Sequence, residues 1–138
     1  MAKRNKPHAV YNAKLDAEHR SVYEAAEELH QALAANAEVG DIRAVAHVLI
    51  QQINSHFAGE ERMMRASGYP QYDWHKRQHD AIRKRMEEFP EWAEAGDCGR
   101  VSELLDFFQA WLRDHTGLHD VMMSAYLRNF ERSHNLTS

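Results

Sequence analysis

A single cysteine, Cys98, denies this chain of 138 residues an internal disulfide, and that scarcity fits a reducing compartment. Its basic opening, MAKRNKPH, is not followed by an apolar segment of about 7–15 residues, so neither a signal peptide nor a membrane anchor is expected, and the cytoplasm is the expected location. Three prolines and six glycines are few, which suits a helical protein better than a loop-rich one. Positive charge is short as well. Against 21 Asp and Glu stand 17 Lys and Arg, a net charge of −4, and no basic surface for nucleic acid is expected. Internal repeats, low-complexity tracts and strand-like alternation are all missing.

What is present is 43% hydrophobic and 28% charged residues, with ten histidines as the compositional oddity. The apolar residues recur at helical spacing. Residues 1 to about 15 read as an extended arm, Asp16 as an N-cap, and Leu15, His19, Val22, Ala26, Leu29 and Leu33 as the stripe of a first helix ended by Gly40. Asp41 is expected to cap a second helix that stops at Gly68. Pro70 suits the first turn of a third, and Pro90 should end or kink that helix near Phe89. Asp97 can cap a fourth helix along Val101, Leu104, Leu105, Phe108, Leu112 and His115 towards Met122, interrupted by Gly117, and the tail from Ser133 is expected to fray. Four amphipathic helices with short links imply an all-α, up-down-up-down four-helix bundle with an N-terminal arm, spanning residues of about 16–133 as one domain.

The stretch HFAGEERMMRASGYPQYDWHKRQH carries the chemistry. His56 and Glu60 are one helical turn apart, and so are His75 and His79 beyond the turn at Gly68 and Pro70. Both pairs lie on buried stripes: Ile42, Val45, Leu49, Ile53, His56, Phe57, Glu60, Met64 on one helix, and Tyr72, His75, His79, Ile82, Met86, Phe89 on the next. A buried carboxylate without a partner costs several kcal/mol, about what a cation or a hydrogen-bond network must offset. Histidine nitrogen with carboxylate oxygen is a donor set for iron or zinc, and no cysteine sulfur is at hand for a softer site. Counting rise along each helix puts His19 and His115 at the same depth as these pairs.

In order, LDAEH, HFAGEE, HKRQH and WLRDHTGLHD form a D-x-x-H, H-x3-E, H-x3-H, H-x4-D series across residues of about 15–127, and this resembles the hemerythrin family, in particular single-domain bacteriohemerythrins. The resemblance implies a di-iron centre with an oxo or hydroxo bridge, held by His19, His56, Glu60, His75, His79, His115 and Asp120. It implies a coordinatively full iron on His75, His79 and His115, an iron with an open position on His19 and His56, and bridging by Glu60 and Asp120. Reversible binding of dioxygen for storage, delivery or sensing would follow, by an oxygen-binding protein rather than an enzyme. Val22, Phe57, Trp111, Leu112 and Thr116 are the implied pocket. Many relatives carry isoleucine at the Thr116 position, so this hydroxyl is expected to shorten the life of bound dioxygen. Peroxide or nitric oxide response, or iron binding without oxygen carriage, is the alternative function within the family. A monomer with no nucleic-acid or membrane partner is expected.

Several histidines have plainer readings. His47 lies about 180° around the helix from His56 and should face solvent, and His8, His30 and His134 read as surface residues. Charge-rich segments such as 83–88 read as solvated faces. At the last ligand position the two arguments diverge: on an ideal helix His119 lies about 40° from His115 and Asp120 about 140° away, whereas the resemblance selects Asp120. A ferritin-like oxidase would need two inward Glu-x-x-His motifs, and only Glu27 and His30 have that spacing. The H-E-x-x-H of a zinc peptidase is absent.

Overall fold

The computed structural model of the chain describes residues 13–116 and 120–135, with no strand among them. Six α-helices follow one another: α1 (Ala13–Ala34), α2 (Val39–Ser67), α3 (Tyr72–Arg85), α4 (Phe89–Glu94), α5 (Cys98–His115) and α6 (Val121–Asn135). They make four arms, because α3 and α4 form one broken arm and α5 and α6 another. His19 near the start of α1 meets Glu60 near the end of α2 at 3.3 Å. Glu60 in turn meets His75 near the start of α3 at 3.4 Å, and His75 meets Asp120, beyond the end of α5, at 3.0 Å. Each arm therefore runs opposite to the one before it, and the arrangement is an all-α bundle.

Three of the turns share one chemistry. Asn36, Gly68 and Gly96 take left-handed φ values of 52°, 67° and 71°, which lets the chain reverse while the last carbonyls of the helix stay bonded. After α2 the amide of Tyr69 reaches the carbonyl of Met64 at 2.9 Å and that of Gly68 reaches Arg65 at 3.2 Å. The same pair of bonds closes α1 at Asn36 and Ala37, and α4 at Gly96 and Asp97. Gly96 sits so close to Val39 that an added Cβ would lie 3.1 Å from a valine methyl. The turns after α1 and α4 thus meet at one end of the bundle.

Several expected boundaries move. α1 begins at Ala13, so residues 13–15 are helical rather than arm, and Asp16 lies in the first turn instead of capping it. Asn36 rather than Gly40 ends that helix, and Gly40 and Asp41 fall inside the first turn of α2, whose cap position is Glu38. Pro70 stays outside α3, in the turn whose Tyr72 amide bonds the Tyr69 carbonyl at 3.1 Å. The third helix does break just before Phe89, with α3 ending at Arg85, and Pro90 stands in the first turn of α4, where its missing N–H is not needed. Asp97 does cap α5, its carboxylate accepting from the Arg100 amide at 3.2 Å. Ser133–Asn135 are still helical. The expectations for residues 1–12, Gly117 and His119 and for the side chain of His134 lie outside the described residues.

The apolar core runs between the arms from Val22, Ala26 and Leu29 through Leu49, Ile53 and Phe57 to Phe89, Leu105, Phe108 and Leu112. A smaller cluster of Met64, Tyr69, Met123 and Leu127 closes the end with the α2–α3 turn. Polar side chains interrupt the apolar packing between these two clusters. No helix among the described residues is long and apolar enough to cross a membrane.

Candidate metal centre

His19, His56, Glu60, His75, His79, His115 and Asp120 are all buried, each exposing 2% of its surface or less. They come from the four arms: α1 supplies His19, α2 supplies His56 and Glu60, α3 supplies His75 and His79, and the α5–α6 arm supplies His115 and Asp120. The structure brings together all seven residues singled out in the sequence. It also brings in Asp120 in spite of ideal-helix geometry, since Thr116 and Asp120 take π-helical pairing, which spans five residues rather than four. His115 Nε2 and Asp120 Oδ1 are 2.9 Å apart.

Each carboxylate divides its two oxygens between two sets of histidines. Glu60 Oε2 faces His19 and His56 at 3.3 and 3.1 Å, while its Oε1 faces His75 and His79 at 3.4 and 3.0 Å. Asp120 repeats the division, with Oδ2 at 2.9 Å from His19 and Oδ1 at 3.0 Å from His75 and 2.9 Å from His115. Two donor groups result, each able to hold a metal ion: His75, His79 and His115 with both carboxylates, and His19 and His56 with both carboxylates.

The donor atoms fit a cation. Buried polar atoms normally find hydrogen-bond partners, yet Glu60 Oε1, both Asp120 oxygens and the Nε2 atoms of His56 and His79 make no hydrogen bond. They converge without bonding one another, as ligands around an ion do.

Electrostatics in the metal-free protein show the same pressure. Burial pushes Glu60 and Asp120 up, and Asp120 is pushed further by Glu60, but the facing histidines outweigh this and hold both carboxylates well below their usual range. Burial also pulls His56 and His75 down, and the same carboxylates, with Glu18 beside His56, drive them up to about 10 and about 9 respectively. His19 is raised on the same grounds. For His115 burial prevails, and its pKa is lowered.

Aromatic rings brace the cluster. Phe57 stacks on His79 with centroids 4.0 Å apart and 5° between planes, and Trp111 stacks on His115 at 4.4 Å and 13°. Val22, Phe57 and Leu112 are fully buried and Trp111 half-buried. Thr116 behaves differently from the expectation. Its hydroxyl donates to the Leu112 carbonyl at 2.9 Å and pairs with the Tyr23 hydroxyl at 3.2 Å, so its one proton is committed to its own helix.

Sequence reasoning missed three residues around the cluster. Glu18 Oε1 lies 3.3 Å from His56 Nδ1, and Glu61 Oε2 lies 2.9 Å from His79 Nδ1. Arg83, expected on a solvated face, donates to Glu61 at 2.7 Å. A glutamate directly beside an inward ligand, as in HFAGEE and DAEH, was the available signal. His47 and His30 are exposed, as their helix positions imply.

A family model described as hemerythrin HHE cation binding domain matches residues 11–126. The chain is 32% identical to a bacteriohemerythrin of Stenotrophomonas maltophilia (strain R551-3) over 126 residues, 87% of this chain and 80% of the relative. It is 29% identical to a bacteriohemerythrin of Campylobacter jejuni, covering 86% of this chain and 89% of that one, and 27% identical to one of Clostridium acetobutylicum, covering 74% and 82%. No solved structure matches.

Proposed function

The chain belongs to the hemerythrin family, and from that premise we propose that it is a non-haem di-iron protein that binds dioxygen reversibly. The observation that carries this reading is the division of Glu60 and Asp120, each with one oxygen towards the group of His75, His79 and His115 and the other towards the group of His19 and His56. Two dications held by these residues would keep net positive charge beside the two carboxylates, which an oxide or hydroxide ligand would balance. Two iron ions held by these residues would supply the electrons for reversible binding of dioxygen, one from each.

The protein's part is to make the two positions unequal and to keep them dry. His75, His79 and His115 fill one position with three nitrogens, whereas His19 and His56 leave the other a donor short. Phe57 lies on His79, Trp111 covers His115, and Val22 and Leu112 are fully buried three residues from His19 and His115. His19 and His56 are themselves buried, which supports exclusion of water from the shorter-handed position. With no spare proton on Thr116, this lining supports release as dioxygen over release as peroxide. The proposed setting is a cytoplasmic monomer whose partner is dioxygen itself, serving storage, delivery or sensing.

The test is iron content together with the near-ultraviolet spectrum of air-exposed protein, cycled between air and argon. Two irons per chain and an absorption band that disappears under argon and returns in air are expected. One metal per chain would overturn the di-iron reading. A band that forms but does not reverse would overturn oxygen carriage in favour of a peroxide- or nitric oxide-responsive centre.

A further inference from the structure

His79 is held from three directions, and what holds it is itself anchored. Its Nε2 points to Glu60 Oε1 at 3.0 Å, its ring face lies on Phe57, and its Nδ1 meets Glu61 Oε2 at 2.9 Å. Arg83 then closes the arrangement. Its guanidinium donates to the same Glu61 oxygen at 2.7 Å, donates to Asp80 at 2.9 Å, and lies 5.3 Å from the centre of the Phe57 ring. Asp80 is tied back by Lys76 at 2.7 Å. By contrast, His19 Nδ1 makes no hydrogen bond. Glu18, a carboxylate behind His56, has a side chain 27% exposed and a longer contact, against 9% for the Glu61 side chain.

We propose that Glu61 is the positioning residue for His79 and that Arg83 sets how much negative charge Glu61 lends to that ligand. The proposal rests on the di-metal reading of the site for its consequence, but not for its geometry. A carboxylate accepting from Nδ1–H fixes the tautomer, so that the Nε2 lone pair faces the metal position, and it makes the imidazole a stronger donor. Because the guanidinium binds the same oxygen as the imidazole, it draws charge away from that bond. Removing Glu61 and removing the charge of Arg83 should therefore push His79 in opposite directions. A merely structural ion pair would respond to both changes in the same way, by loosening the fold.

The experiment compares the full-length protein with Glu61→Gln, Glu61→Leu and Arg83→Gln. In metal-free protein, proton–nitrogen NMR should show a protected His79 Nδ1–H in the wild type, weakened by Glu61→Gln and absent in Glu61→Leu. Affinity for Zn(II), which needs no redox chemistry, should fall about 10–100-fold in Glu61→Leu, the usual cost of losing such a partner. In iron-loaded protein the reduction potential should rise in Glu61→Gln and fall in Arg83→Gln. Shifts of the same sign in those two variants, or a wild-type His79 without a protected Nδ1–H, would overturn the proposal. Wild-type iron stoichiometry is measured alongside: a count below two per chain defeats the di-iron reading, and the NMR and Zn(II) results still decide the role of Glu61.

Discussion

At the scale of single residues, the side chains around the cluster separate by what their hydrogen atoms are bonded to. Thr116 shows this most clearly, because its proton goes to the Leu112 carbonyl and its oxygen lies 3.2 Å from the Tyr23 hydroxyl. Thr116→Val is therefore expected to leave the decay of the oxygenated form unchanged. It should instead destabilise the fold by about 1–3 kcal/mol, because the buried Tyr23 hydroxyl loses its partner; oxygenated-state lifetime and denaturant melts check both parts, and slower decay in the variant would return Thr116 to the pocket. Metal loading offers a second division. His47→Ala, on an exposed position, should leave iron content intact, while His56→Ala and His79→Ala should lower it sharply; equal loss in all three would contradict the faces assigned here. Residue type and spacing made six of the seven clustered residues readable in advance. Asp120 was not readable from periodicity, because π-helical pairing at Thr116 and Asp120 changes which residue shares a face with His115. Glu18 and Glu61 were hidden for a different reason, as each sits one step off the inward stripe and is recruited by a histidine on another helix.

At the scale of elements, apolar periodicity located the helices well and the punctuation residues located their ends unevenly. Gly68 and Asp97 act as read, since a left-handed turn and an N-cap are local demands met by those side chains alone. Gly40, Asp41 and Pro70 mislead because each can start or stop a helix but another residue nearby does so first. Asn36 takes the left-handed region and Gly40 does not, and the turn at Tyr69 is still closing when Pro70 passes. The two glycine turns should answer differently to the same substitution. Gly68→Ala forces a Cβ into a left-handed conformation with open space around it, at a cost of about 1–2 kcal/mol. Gly96→Ala adds the contact 3.1 Å from a Val39 methyl and should cost roughly 1 kcal/mol more, as overpacking does. Urea denaturation of both variants measures the difference, and equal costs would mean that Val39 moves aside freely.

At the scale of the whole molecule, the bundle concentrates its unfavourable electrostatics in one place and offsets them there. Two fully buried carboxylates face five buried histidines, and without a metal the only available compensation is protons. His56 and His75 are raised to about 10 and about 9, above the ordinary value of about 6.5, so their protonation favours the folded metal-free state. That contribution is complete below about pH 6.5 and is lost as the pH climbs through 9 to 10. Glu60 and Asp120 act in the opposite sense, being held well below the usual carboxylate range. Their contribution is present above about pH 4 and fades as the pH falls towards their folded values. A bound metal takes over the role of these protons, since imidazole ligates only when its Nε2 is free. Metal uptake should therefore release protons at neutral pH. The gap in melting temperature between loaded and metal-free protein should widen from pH 6.5 to pH 9, because alkali weakens only the metal-free form. Paired thermal melts across that range, with proton release followed by an indicator dye during titration with Zn(II), test this directly. A constant gap with no proton release would mean that the histidines are already neutral in the empty cluster, and that some other arrangement balances Glu60 and Asp120.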